Sequence, residues 1–136
     1  MFLKYLNSEE KSIFLKLAMS VIKSDGKLEE SEKVYIDDYS REMGITEVNL
    51  DEKIEPLLLA EKIGDNSTDL IKRIFLLELT ACAKADGDFA DIEKSLINSF
   101  VKAFKISDTS LQKCLVLLDE YTNISKRIMS FVQGGE

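Results

Sequence analysis

The sequence has no histidine and no tryptophan, and it has one proline and two cysteines in 136 residues. Without histidine the chain cannot form a Ser-His or Cys-His catalytic pair or a Glu-x-x-His di-iron helix. Its six glycines form neither a phosphate-binding loop nor a dinucleotide fingerprint. Paired carboxylates could do acid-base work, but the sequence gives no sign of a cleft that would hold them. We therefore predict that the protein is not an enzyme and has no catalytic residues.

The two cysteines, Cys82 and Cys114, lie within apolar helical patterns, where unreactive buried thiols are common. Two such residues do not make a disulfide scaffold. Residues 1–6 are too few for the apolar core of a signal peptide, and no apolar run approaches the ~20 residues of a membrane-spanning helix. We therefore expect a cytoplasmic protein with reduced thiols and no integral membrane segment.

Acidic residues exceed basic ones by 25 to 18, which gives a net charge of -7. The basic residues are not gathered in a cluster, so we expect no nucleic-acid binding. Hydrophobic residues make up 45% of the chain and charged residues 32%, as in a globular protein with a charged surface. The length and this composition predict one domain over residues 1–136.

Apolar residues recur three and four positions apart along the chain, which predicts an all-α, compact bundle of about seven helices. The predicted helices start at Ser8, cover 30–43, 69–85 and 91–104, and then begin at caps provided by Ser107 and Asn123. Residues 47–63, with Thr46 or Asn49 as the cap, form two short helices or one bent helix, because Pro56 interrupts a helix interior unless it lies in the first turn. Glycines are expected to end the helices, at Asp25-Gly26, Gly44, Asp86-Gly87 and Gly134-Gly135.

An internal repeat is visible when the chain is compared with itself at a shift of 61 residues. Residues 13–46 then align with 74–107 without a gap, with ten identities in 34 positions. The matches include Lys23, Asp25 and Gly26 with Lys84, Asp86 and Gly87. We infer a duplicated helix, Asp-Gly turn, helix unit, with repeats at about 8–63 and 69–122, and we expect the two units to pack around a pseudo-twofold axis.

Both turns have the pattern of the second half of an EF-hand loop, with glycine, then an apolar residue, then glutamate. The first half of that loop is missing, because Val21, Lys23, Cys82 and Lys84 occupy the positions where oxygen ligands are needed. Helix capping accounts for most of the motif: glycine reverses the chain, and Glu32 or Glu93 reaches back to an unpaired backbone N–H. The surplus of acids leaves a second interpretation, a weak calcium or magnesium site or a negative patch for a basic partner.

The two turns resemble those of the TerB-like family, helical domains associated with bacterial tellurite resistance and with membrane or phage stress, which also occur fused to J-domain co-chaperones. The resemblance rests on residues 22–28 with Glu32 and on residues 83–89 with Glu93, and it covers most of the chain from about Ser8 to Tyr121. It implies that Asp25, Glu32, Asp86 and Glu93 are the acids that would bind a cation. A J-domain needs a His-Pro-Asp motif, which this chain lacks, so a co-chaperone role would require a separate partner.

Taken together, these features predict a non-enzymatic helical interaction or scaffold module of the TerB-like type, in a bacterial stress response resembling tellurite resistance, with a protein partner that the sequence does not identify. The alternative is a weak divalent-cation-binding or cation-sensing protein that uses the two acidic turns, with calcium or magnesium as its ligand. A third option is peripheral membrane association through Phe2, Leu3, Tyr5 and Leu6.

Overall fold

The computed structural model describes residues 2–25, 30–45, 53–84 and 91–135, and all regular structure in these residues is helical. Two short 3₁₀ helices, at Leu3–Tyr5 and Lys23–Asp25, flank the first α-helix. The α-helices are α1 (Ser8–Ile22), α2 (Glu30–Met43), α3 (Pro56–Asn66), α4 (Asp69–Lys84), α5 (Asp91–Phe104) and α6 (Ser110–Val132). The predicted all-α class is therefore confirmed. The described residues hold six α-helices where the sequence predicted about seven.

The N-cap of helix α1 lies one residue earlier than predicted. The cap is Asn7, whose side chain accepts a hydrogen bond from the backbone of Glu10 while the Glu10 carboxylate accepts one from the Asn7 backbone. This reciprocal pair satisfies two backbone donors, so Ser8, the predicted cap, becomes the first helical residue. The other Glu10 oxygen accepts a hydrogen bond from the Ser67 hydroxyl at 2.7 Å, which places the start of α1 beside the start of α4.

Helices α2 and α5 end with the same backbone geometry. Gly44 follows α2 with a φ of 73°, and the N–H of Ile45 donates to the carbonyl of Ser40. Lys105 follows α5 with a φ of 60°, and the N–H of Ile106 donates to the carbonyl of Val101. Both ends are Schellman caps, in which a left-handed residue lets the last carbonyls find donors. The predicted end of α2 at Gly44 is confirmed.

The prediction of one bent helix over 47–63 is wrong, because residues 53–55 are not helical and α3 begins at Pro56, while residues 47–52 lie outside the described residues. Proline is the first residue of α3, where its missing N–H costs no hydrogen bond, so one helix runs from Pro56 to Asn66. The candidate caps Thr46 and Asn49 lie outside the described residues. Gly64 is the point of closest approach to α5, because a Cβ at this position would fall on the carbonyl oxygen of Ala103.

Helix α4 packs against α1, α5 and α6. Most of its residues are buried, although Leu70 in its first turn is 60% exposed. A row of edge-to-face aromatic contacts crosses the core through Phe75, from Tyr39 to Phe14, then to Phe75 and on to Phe104. Aromatic residues therefore join α2, α1, α4 and α5 into one core.

Helix α6 corrects two predicted caps. It begins at Ser110, after Thr109, and it runs without a break through Asn123 to Val132. Ser107 accepts a hydrogen bond from the Thr109 backbone in the preceding turn and does not cap the helix. Asn123 was expected to start a new helix, but a single asparagine lowers helix stability by less than about 1 kcal/mol, and no glycine or proline interrupts the segment. One 23-residue helix therefore replaces the two that were predicted.

Two of the four apolar side chains that were expected to contact a membrane at the N-terminus are not accessible to one. Leu3 and Leu6 are buried, at 0% and 4% exposure, and the 3₁₀ helix Leu3–Tyr5 packs against α2. Only Phe2 and Tyr5 of the four apolar side chains remain exposed. Over the described ranges, no helix combines the length and the apolar character needed to span a membrane.

Candidate functional site

Three of the four acids singled out by the sequence lie at helix boundaries. Asp25 is the last residue of the 3₁₀ helix Lys23–Asp25, and Glu32 and Glu93 are each the third residue of a helix, α2 and α5 respectively. Asp86 lies outside the described residues. The third helical position is the one from which glutamate reaches back to the N-cap backbone, so the positions of Glu32 and Glu93 fit the capping interpretation.

Two elements that adjoin the acidic turns are in contact with each other. The 3₁₀ helix Lys23–Asp25, which opens the first turn, contacts α5, and α5 carries Glu93 in its first turn. Glu93 is half-buried. The part of the chain that the structure describes contains no group of three or more histidine, cysteine, aspartate or glutamate residues placed to hold a metal ion. Glu29, Asp86 and Asp88, three of the eight acids of the two turns, lie outside that part.

A groove lies between α4 and the first half of α6. It has a volume of about 490 Å³. Its floor is apolar, and charged side chains of both signs stand at its edge. The floor residues are Leu76, Leu77, Ile106, Cys114 and Leu117, and the edge residues include Asp69, Arg73, Lys105 and Lys113. Such a surface suits an apolar side chain with polar neighbours.

The thiol of Cys114 is the group in this groove with nucleophilic chemistry. Burial raises the pKa of the Cys114 thiol above its ordinary value, so the thiol is protonated at neutral pH. The thiolate is the reactive form of cysteine, and a protonated thiol acts as a small apolar side chain. The groove therefore offers apolar contact surface.

A second group of polar side chains lies in the interface between α2 and α4. Burial raises the pKa of the Tyr39 hydroxyl above its ordinary value, and the neighbouring Cys82 thiol and Glu78 carboxylate raise it further. Cys82 and Glu78 are both buried. The phenol is neutral at physiological pH and hydrogen-bonds to the Cys82 side chain, so this cluster joins the two helices.

The second half of α6 has an apolar face that is exposed in the part of the chain the structure describes. From Asp119 to Val132 every residue except Ser130 is exposed. A stripe of apolar side chains, which we call the α6 stripe, continues from the groove to the end of the helix. It consists of Leu117, Tyr121, Ile124, Ile128 and Phe131, which are 53–76% exposed.

Sequence reasoning assigned helical structure to this region and missed that the helix leaves the core. The signal was present, because Cys114 and the five stripe residues alternate in steps of three and four, the spacing of a coiled-coil seam. A salt bridge between Lys84, the last residue of α4, and Asp119 joins the two helices near the middle of α6. Beyond that bridge the stripe faces solvent.

No family model, curated protein or solved structure matches this chain in comparisons with known proteins.

Proposed function

We propose that this protein is a non-enzymatic helical interaction module that binds another protein chain through the α6 stripe and the groove beside it. The observation that carries the proposal is the exposure of the five large apolar residues of the α6 stripe, which follow one face of the helix; Val116, Met129 and Val132 of the same helix are exposed as well. A contiguous exposed apolar surface with a polar surround is the usual mark of a protein-binding surface.

The energetics of an isolated helix support the same proposal. Helices of fewer than about 12–15 residues are marginal in water unless a packed face supports them. Among the described residues, those that support the segment after Asp119 lie at its N-terminal end, where Lys84 forms a salt bridge with Asp119 and Leu111, Cys114 and Leu115 pack against the core. A partner that covers the stripe would remove apolar surface from water, at about 25 cal/mol per Å².

The TerB-like resemblance belongs to this proposal and supplies its biological setting, a bacterial stress response. The duplication that the resemblance includes is supported by coincidences at a separation of 61 residues. These are the helix starts Ser8 and Asp69, the bounds of α2 and α5, the left-handed residues Gly44 and Lys105, and the contacting rings Phe14 and Phe75. Growth of a deletion strain with and without tellurite tests the setting, and equal growth of deletion and parent strains would count against it.

Cation binding at the acidic turns is the second candidate, and the observation that favours it is the recurrence of the acidic pattern in both units. An ion that binds the native state raises the melting temperature by mass action. We expect millimolar calcium or magnesium to raise it if the turns form a site, and Asp25→Asn with Asp86→Asn to abolish the rise. An unchanged melting temperature in both ions would exclude this candidate.

Photo-crosslinking in living cells tests the interaction module directly. A photoreactive amino acid at position 121 lies in the α6 stripe, whereas one at position 126 lies on the opposite, polar side of the same helix. The proposal predicts a protein-protein crosslink from position 121 and none from position 126. Equal crosslinking at the two positions, or none at either, would contradict a binding role for the stripe.

A further inference from the structure

We propose that the partner on the α6 stripe is a second copy of this chain, bound antiparallel, so that the two α6 helices form a short two-stranded coiled coil. This inference rests on the proposed function and adds the identity of the occupant. Four observations carry it: the spacing of the stripe, the positions of two charges, the position of the groove, and the amount of exposed surface.

The spacing of the stripe is self-complementary in the antiparallel orientation. Cys114, Tyr121 and Ile128 occupy one seam position of the heptad, and Leu117, Ile124 and Phe131 occupy the other. An antiparallel pair sets each residue of the first kind against one of the second. Tyr121 then lies opposite Ile124 of the second copy, and Ile128 lies opposite Leu117 of the second copy.

Two charged residues beside the stripe favour the antiparallel orientation over the parallel one. Glu120 and Arg127 each precede a seam residue of the same kind, so they lie on the same edge of the helix. In the antiparallel pair, Glu120 lies beside Arg127 of the second copy, and this occurs twice by symmetry. A parallel pair would set Glu120 against Ser125 and Arg127 against Val132, with no opposite charges. Charges that flank the seam select the orientation of a coiled coil.

The groove lies where the end of the second helix arrives. The same register that pairs Tyr121 with Ile124 sets Phe131 of the second copy against Cys114, which is part of the groove floor. Phe131 is 76% exposed, more than any other residue of the stripe. The groove of about 490 Å³ has room for a phenyl ring. The stripe and the groove thus form one continuous surface that matches itself.

The exposed surface is enough for a weak dimer. Two copies contribute ten stripe side chains, each more than half exposed, and these offer in total on the order of 1,000 Å², the lower bound for a specific interface. We therefore expect a dissociation constant between about 1 and 100 µM. A lipid surface suits the stripe less well, because Asp119 and Glu120 balance Lys126 and Arg127 beside it and the chain carries a net charge of -7.

Sedimentation equilibrium of the full chain at 5–200 µM tests the dimer. We expect the wild-type mass to rise toward that of a dimer over this range, Ile124→Glu to remain a monomer, and Lys126→Glu, on the opposite face, to behave as wild type. Both positions are exposed, and circular dichroism verifies that each variant is folded. A wild-type monomer at 200 µM, or a dimeric Ile124→Glu, would overturn the proposal, and a wild-type monomer that floats with anionic vesicles would assign the stripe to a membrane.

Charge exchange tests the orientation. Glu120→Arg alone and Arg127→Glu alone should each weaken the dimer at least threefold, because each places like charges together twice. An equimolar mixture of the two variants should form a heterodimer at least as tight as the wild-type dimer, because both pairs are then opposite in sign. A mixture that associates no better than either variant alone would refute the antiparallel arrangement.

Oxidation of Phe131→Cys gives a second, covalent measure of the same register. The antiparallel arrangement predicts a disulfide between Cys114 and the new cysteine at position 131 of the other copy, found by peptide mapping. A disulfide between the two copies of position 131 would overturn the register. If the self-association tests fail while position 121 still crosslinks to a different protein, this inference is wrong and the proposed function stands.

Discussion

The rings of Phe14 and Phe75 meet edge to face in the centre of the molecule, with centroids 5.6 Å apart and planes at 79°. Both side chains are fully buried. The two residues are 61 positions apart, the same separation at which the sequence repeats. Corresponding residues of two repeats touch each other when they lie on the axis that relates the repeats. The contact between these two corresponding residues therefore supports the proposed duplication.

Truncation of this pair should destabilise the protein strongly and cooperatively. We expect Phe14→Ala and Phe75→Ala each to lower the free energy of unfolding by about 3–5 kcal/mol, through lost burial and the cavity left behind. The double variant should differ from the sum of the two by about 0.5–1.5 kcal/mol, the coupling typical of an edge-to-face aromatic pair. Urea denaturation of the four proteins measures this, and strict additivity would contradict direct contact.

Gly64→Ala should destabilise the protein even though alanine is the better helix former. Helix propensity alone would favour alanine by about 1 kcal/mol inside α3. The new Cβ would fall on the Ala103 carbonyl oxygen, and backbone cannot move aside as a flexible side chain can, so α3 must shift away from α5. We expect a net loss of about 1–3 kcal/mol by urea denaturation. Asn66→Ala, at an exposed position of the same helix, is the control, and a stabilised Gly64→Ala would contradict the close approach.

Substitutions at the two left-handed residues that end α2 and α5 should change the stability of the protein in opposite directions. Lys105 has a positive φ that glycine adopts at little cost, so Lys105→Gly should raise the melting temperature despite the loss of its exposed salt bridge with Asp65. Gly44 has the same backbone conformation and open space around it, so Gly44→Ala should cost about 1 kcal/mol from backbone strain alone. Thermal melts measure both changes, and a fall in melting temperature for Lys105→Gly would contradict the strain argument.

The raised pKa of Tyr39 predicts a loss of stability in alkaline solution. Below pH 10 the phenol is protonated in the folded and unfolded states alike, and this group adds no pH dependence. Above pH 10 the unfolded chain ionises while the folded chain does not, so the free energy of unfolding falls by about 1.4 kcal/mol per pH unit from this group. Tyr39→Phe should remove that part of the slope, and Tyr5→Phe, at an exposed position outside the α6 stripe, should leave it unchanged. Identical slopes for Tyr39→Phe and wild type between pH 10 and 11 would contradict the prediction.

The sequence predicted what depends on local pattern. The starts of α2, α4 and α5 and the glycine end of α2 follow from apolar spacing and from the conformations that glycine permits. The cap at Asn7 was missed by one residue although Asn7 and Glu10 have the spacing of a capping box, because Ser8, followed by two glutamates, was also a plausible cap. The coiled-coil spacing of the α6 stripe was visible in the sequence, but spacing alone assigns no partner to a helix face, so it did not show whether the core or another chain covers that face.

In the candidate site, too, the features set by local sequence were predicted and those set by tertiary packing were not. The acidic turns were visible as a repeated motif, and the positions of Glu32 and Glu93 at the third residue of a helix were as predicted. The groove could not be predicted, because it is formed by residues from α4, from the turn after α5 and from α6, which only the tertiary fold brings together. Its link to the α6 stripe became clear once Cys114 and Leu117 were seen to line it.

Hydrogen exchange at two protein concentrations tests the central claim that a second copy covers the second half of α6. If the stripe is a dimer interface, backbone amides of residues 119–132 should exchange more slowly at 200 µM than at 2 µM, while amides of α4 remain equally protected at both. Ile124→Glu should exchange rapidly in this segment at both concentrations. Equal exchange rates at 2 and 200 µM for the wild-type segment, matching those of Ile124→Glu, would contradict the account.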